Sequence, residues 1–118
     1  MSGKSMTYIY KICPADIWEK AEKDGVFSGA GIDLIDGFIH FSTQTQTAET
    51  LRLHFAGVSD LKLVRIDADT LDIVWEESRG GQLFPHLYGR MPISKVIAVY
   101  DLPLGNDGVH ILPDMPLD

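Results

Sequence analysis

Five side chains able to move protons or hold a polar ligand fall into two short stretches of this sequence. His40 and Ser42 close the run Gly37-Phe38-Ile39-His40-Phe41-Ser42, while Glu76, His86 and Tyr88 flank an Arg79-Gly80-Gly81 turn. An imidazole titrates near neutrality and serves as donor, acceptor or proton carrier. A hydroxyl two residues away on an extended chain points to the same side and can hold a sugar or carbonyl oxygen beside it. A carboxylate can polarise a ribose hydroxyl or stabilise a developing cation. Strand alternation puts Phe38, His40 and Ser42 on one face, with Ile39 and Phe41 on the other. His86 and Tyr88 share a face if their segment is extended. Glu76 and Glu77 face opposite ways, so at most one of them enters a given cleft. Each residue also has a plainer role: a core histidine bonded to backbone, a serine capping the next helix, a half-buried tyrosine with a wet hydroxyl.

Other chemistries find less support. The four histidines contain no H-x-x-x-H pair, so a metal site would need long-range assembly from His40, His86 and Glu76, and no metal is expected. His54 and His110 read as structural or exposed. No G-x-S-x-G elbow and no Walker loop is present. The single cysteine, Cys13, excludes an internal disulfide; its place before Pro14 at a strand-to-helix junction is one where a helix N-terminus can lower a thiol pKa, but a buried, inert thiol is the expectation.

The elements that must position these groups are marked by local pattern. Thr7 to Ile12 is aromatic and β-branched, as a strand requires. Pro14 fits the first position of a helix over Ala15 to Lys23, which Gly25 stops. The glycine-rich stretch from Val26 to Gly37 reads as a surface loop. Gly37 to Ser42 forms a second strand, and Thr43 with Gln46 caps a helix carrying Ala48, Leu51 and Phe55. Leu61 to Ile66 and Ile73 to Glu76 are strands. Leu83 to Tyr88 contains Pro85 and is expected at a sheet edge or in irregular structure. Ile93 to Leu102 is the clearest strand, and a Pro-rich tail from about residue 103 is irregular. The expectation is a disordered leader over residues 1–5 and one α+β domain over 6–118, with two early helices and a mostly antiparallel sheet.

Length and charge agree with a small independent domain. The 118 residues (13.1 kDa) are 45% hydrophobic and 23% charged, enough for one core without disulfide staples. Ten Lys and Arg against seventeen Asp and Glu give a net charge of −7 and a pI near 4.9. Such a surface repels phosphate backbones and anionic lipid, so neither a nucleic-acid polymer nor a membrane is an expected partner. No apolar run reaches the ~20 residues of a membrane span. The first residues lack the apolar stretch of a signal peptide, so a cytoplasmic address is expected. A small-molecule ligand fits best, with the chain a monomer or weak homo-oligomer.

The run from Gly37 to Ser42, Trp75-Glu76, Arg79-Gly80-Gly81 and Phe84-Pro85-His86-Leu87-Tyr88-Gly89 resemble the signature of a small bacterial family, domain of unknown function 952. Ile9-Tyr10-Lys11-Ile12 and Trp18 fit it too, so the resemblance spans residues 6 to 102. It implies an ADP-ribosyltransferase-like fold, a split pair of small sheets around a cleft that takes NAD as substrate. His40-Phe41-Ser42 is similar to the His-Gly-Ser or His-Gly-Thr of that fold, whose His holds the ribose. Phe41 stands where a glycine backbone would grip the nicotinamide amide. The resemblance implies Glu76 as the carboxylate favouring an oxocarbenium-like transition state. Glu76 and His40 are thus the catalytic candidates, with Gly37, Phe38, Ser42, His86 and Tyr88 against the ligand. The implied activity is transfer or hydrolysis at a ribosyl or phosphoryl centre of NAD or a related nucleotide. The alternatives are a binding module without turnover, and a metal-dependent hydrolase built on the two histidines and Glu76.

Overall fold

Aromatic and β-branched residues draw Tyr8–Pro14 into strand β1, in a computed structural model that describes residues 7–114. The expected leader, residues 1–5, lies outside the described residues. Pro14 ends β1, and helix α1, Ala15–Asp24, begins directly behind it. Gly25 stops the helix at φ 80°, its N–H donating to the Ala21 carbonyl at 2.9 Å. Trp18 and Ala21 form the buried stripe of α1, and the Trp18 ring meets Phe27 at 5.6 Å.

The stretch expected to be a surface loop folds instead into strand β2, Val26–Phe27, and a one-turn helix α2, Ile32–Asp36. The cause is Asp33. Its buried carboxylate collects hydrogen bonds from three neighbouring segments, which glycine content alone does not reveal. Strand β3 is short, Ile39–His40. The Thr43–Gln46 capping box forms as expected, opening a 3₁₀ turn that runs into α3, Thr47–His54. The chain therefore has three α-helices among the described residues, where two were expected.

Five strands follow: β4 (Leu61–Asp67), β5 (Ile73–Glu77), β6 (Leu83–Leu87), β7 (Met91–Pro92) and β8 (Val96–Leu102). They complete three antiparallel sheets in the orders β1-β4-β8, β3-β6-β5 and β2-β7. This is an α+β architecture with few helices. Among the described residues beyond Leu102, Leu104 and His110 form a bridge. No helix among the described residues is long and apolar enough to cross a membrane.

Both faces of the β1-β4-β8 sheet are covered over β1 and β4, while β8 leaves Ile97 and Val99 exposed. Ile9, Cys13, Val64 and Ile66 pack with Trp18, Phe27, Ile39, Phe41, Leu87 and Met91. Tyr10, Ile12, Leu61 and Leu63 pack on the other side with Leu51 of α3 and Leu102. Each such aliphatic side chain contributes about 1.5–3 kcal/mol by leaving water. Lys11 lies on the first face, between Ile9 and Cys13, and is itself buried.

The Pro85 segment is not an edge. β6 is the central strand of its sheet, with β3 on one side and β5 on the other. A strand residue of an antiparallel pair aims its N–H and carbonyl to the same side. The Pro85 carbonyl accepts from Phe41 N–H at 3.0 Å, so its missing N–H falls on the β3 side as well. β3 has already ended at His40 there, and β5 keeps its whole ladder. Proline is tolerated because the shorter neighbour asks for nothing at that point.

Candidate functional site

The β3–β6 register joins the two reactive stretches. His40 is paired directly with His86, and their rings lie 5.2 Å apart. Phe38 joins the cluster, its ring 4.5 Å from His40, 4.3 Å from His86 and 5.0 Å from Tyr88. This aromatic layer fixes both imidazoles in orientation.

His86 is 5% exposed, and its Nδ1–H donates to Glu76 Oε1 at 2.7 Å across the β5–β6 pair. The Tyr88 hydroxyl donates to the same oxygen at 2.8 Å. Those two hydrogen bonds, His86 first, hold the Glu76 carboxyl below its ordinary value of 4.5, and the same carboxylate raises the Tyr88 phenol. With Nδ1 as donor, Nε2 is the ring nitrogen left over, an acceptor whenever it carries no proton. Among the described residues nothing in the protein bonds to it. Glu77, on the opposite face of β5, is exposed.

His40 is held differently. Its Nδ1–H donates to Asp33 Oδ1 at 2.6 Å, and its Nε2 stands 3.0 Å from Asp36 Oδ2. Both ring nitrogens thus face carboxylates of α2. Asp33 also accepts from His40 N–H on Oδ1, and from Ala30 N–H and Lys11 Nζ on Oδ2, the lysine at 2.7 Å. Lys11 Nζ donates in addition to the His40 carbonyl. Burial pulls the Lys11 ammonium below its ordinary 10.5, while the Asp33 charge opposes that shift. Burial acts to raise the Asp33 carboxyl, but Lys11 and the hydrogen bonds from Ala30 and His40 outweigh it and hold it below 3.8.

These groups meet in a cleft of ≈ 610 Å³ bounded by β1, α2, β3, α3 and β6. Its wall includes Lys11, Asp33, Asp36, His40, Ser42 and His86, with apolar surface from Ile12, Ile17, Phe41 and Phe84. Of the residues expected from sequence, His40, Ser42 and His86 therefore line the cleft. Glu76, Tyr88 and Phe38 stand beside or behind them and touch the ligand space through His86. Gly37 caps the C-terminus of α2 at φ 82°, its N–H donating to the Asp33 carbonyl. Ser42 bonds Thr50 rather than capping the helix through backbone. His110 bonds the Val58 carbonyl. Cys13 is buried, its thiol pushed up to about 12, chiefly by that burial. No group of three or more His, Cys, Asp or Glu side chains is disposed to hold a metal ion among the described residues.

Lys11, Asp33 and Asp36 were not among the candidates read from sequence. A signal existed: Lys11 interrupts the apolar face of a strand that is otherwise core. A buried ammonium needs a buried acid, and Asp33 sits in the glycine-bracketed segment ahead of His40.

The chain belongs to the family described as "Protein of unknown function (DUF952)", whose profile matches residues 12–99. The solved structures agree. The crystal structure of protein CC0527 from Caulobacter crescentus is 44% identical, with a TM-score of 0.85 over 89% of this chain and 94% of that one. The solution NMR structure of CC0527 is 45% identical, with a TM-score of 0.79 over 88% and 91%. No curated protein matches the chain.

Proposed function

We propose that the cleft binds NAD or a related nucleoside-containing metabolite and that His86, oriented by Glu76, accepts a proton in hydrolysis or transfer at the ribosyl carbon. The observation that carries this reading is the pair of fates of the two His86 nitrogens: Nδ1 is tied to a carboxylate and Nε2 is left as an acceptor. A general base needs that arrangement. In the reaction, the C–N glycosidic bond breaks with its electron pair leaving on the base. A water or acceptor hydroxyl forms the new C–O bond, and its proton passes to His86 Nε2. Glu76 is a positioning residue here, acting through His86. His40 and Ser42 help shape the ligand end of the cleft, and Asp36 supplies negative charge near a developing ribosyl cation. The antiparallel sheets beside a cleft are compatible with the ADP-ribosyltransferase-like arrangement that the family resemblance implies. A phosphoryl centre fits less well, because Lys11 is already neutralised by Asp33.

A binding module without turnover is the second reading. It is favoured by the absence of Glu76 from the cleft wall, which leaves His86 without a carboxylate partner on the ligand side.

Release of nicotinamide from NAD and from nicotinamide riboside, followed by NMR, tests the proposal. Turnover by the wild type should fall about 10²–10⁴-fold in His86→Ala, with circular dichroism unchanged. Binding without release would establish the second reading, and absence of binding would dismiss both.

A further inference from the structure

Helix α2 is built inside out. Of its five residues, Ile32–Asp36, only Asp33 is buried, while Ile32, Leu34 and Ile35 are 60%, 68% and 83% exposed. A surface helix ordinarily turns its apolar stripe to the core and its acids to water. Here the acid is the anchor. The Asp33 carboxylate accepts from Ala30 N–H, from His40 N–H and Nδ1–H, and from Lys11 Nζ, and its carbonyl accepts from Gly37 N–H. None of these bonds involves the three aliphatic side chains. Apolar surface gathered in this way marks a contact with something the chain alone does not supply.

The nature of that contact follows from where the patch begins. Ile32 lines the cleft, and so does Ile17 of α1, itself 36% exposed. The lining residues at the entry to each helix are apolar throughout: Pro14 and Ile17 at α1, Ala30, Gly31 and Ile32 at α2. Ile35 stands three residues beyond Ile32, and residues so spaced are neighbours on a helix surface. The apolar surface thus runs from inside the cleft, across its rim at Ile32, to Ile35 outside. A protein partner would cover the outer end and leave the inner one bare. A ligand already seated in the cleft covers both.

We infer that the cleft takes a ligand with an apolar arm, an alkyl, alkylthio or aryl substituent that leaves past Ile17 and Ile32 and lies along Ile35. The inference rests on the proposed reading of the cleft as a nucleoside site and narrows its substrate class to nucleosides substituted in this way. On a ribosyl ligand the 5′ carbon can carry such an arm without disturbing the glycosidic bond that breaks.

Isothermal titration tests it with adenosine, its 5′-alkylthio derivatives of one to four carbons, and adenosine 5′-monophosphate. Affinity should rise about two- to fourfold with each methylene, fourfold being the ~0.8 kcal/mol of a fully buried one. Ile17→Asn and Ile32→Asn should flatten that rise with circular dichroism unchanged. Leu53→Asn, at an exposed aliphatic of α3 that does not line the cleft, should keep it. Adenosine binding with no rise along the series would overturn the inference and leave the proposed function standing. A monophosphate tighter than every thioether would overturn it too, giving the Gly31 and Ile32 N–H groups, which bond nothing among the described residues, to a phosphate. A flat series with a wild-type dimer in sedimentation that Ile35→Asn splits would give the patch to a second copy and likewise overturn it. No binding of any probe would overturn both the inference and the proposed function.

Discussion

His40 and His86 sit directly opposite each other on paired strands, yet their surroundings are inverted. The nitrogens of His40 both meet acid oxygens supplied by α2. One nitrogen of His86 meets Glu76, and the other is open. Two identical side chains at one register position thus divide into a ring held at both nitrogens and a ring held at one. The division follows from which carboxylate the fold brings to each ring.

Glu76→Gln tests the acceptor side. The amide keeps size and a hydrogen-bonding oxygen but removes the charge that selects the Nδ1–H form of His86. The expected result is an intact fold, retained ligand binding and a drop in turnover. Nitrogen chemical shifts of the His86 ring should move from one tautomer towards a mixture. Unchanged shifts would mean that Glu76 does not set the proton position.

The Lys11–Asp33 pair tests the anchor side through stability. Asp33→Asn leaves a buried ammonium without its counter-charge, which costs about 3–5 kcal/mol. Lys11→Met should cost less, because Asp33 keeps donors from Ala30 and His40. The double variant Lys11→Met/Asp33→Asn should therefore be more stable than Asp33→Asn alone. Urea melts decide the matter, and equal midpoints for the single and double variants would refute the pairing.

Acid should act through the same carboxylate. The folded pKa of Asp33 is held below its ordinary 3.8. Such a group stabilises the fold in full above the unfolded value, and that contribution is lost as pH falls through the depressed folded value. Glu76, held below 4.5, acts with the same sign. The urea midpoint should change little between about pH 7 and 5 and then fall below about pH 4. Asp33→Asn should flatten the acid limb. A wild-type midpoint that is unmoved down to pH 3 would show that neither carboxylate is stabilised by folding.

Much of this arrangement is legible in the chain itself. The strand periods of β1, β4 and β8, the Gly25 stop and the Thr43–Gln46 box are local signals, and local physics decides them. The pairing of His40 with His86 is not local. It depends on β6 lying between β3 and β5, and Pro85 argued against a central strand because the shortness of β3 is invisible until the partners are known. Asp33 escaped notice for a related reason. Its neighbours are glycines and exposed Ile32, Leu34 and Ile35, so nothing nearby says that this acid is buried. The lysine that buries it lies on a different strand.

The strand orders also bear on how the protein is made. Among the described residues β1 pairs with residues 61–67 and, through a bridge at Tyr10, with Ser42, while β3 pairs with residues 86–87. A nascent chain that has not yet delivered β6 leaves β3 without its partner strand, although β1 can already pair with β4. Sheets closed by such distant segments form in milliseconds to seconds rather than microseconds. Until then the edge of β3 is open to other chains. Ribosome-stalled chains ending before residue 83 should therefore be captured by holdase chaperones, and those released beyond residue 102 should not.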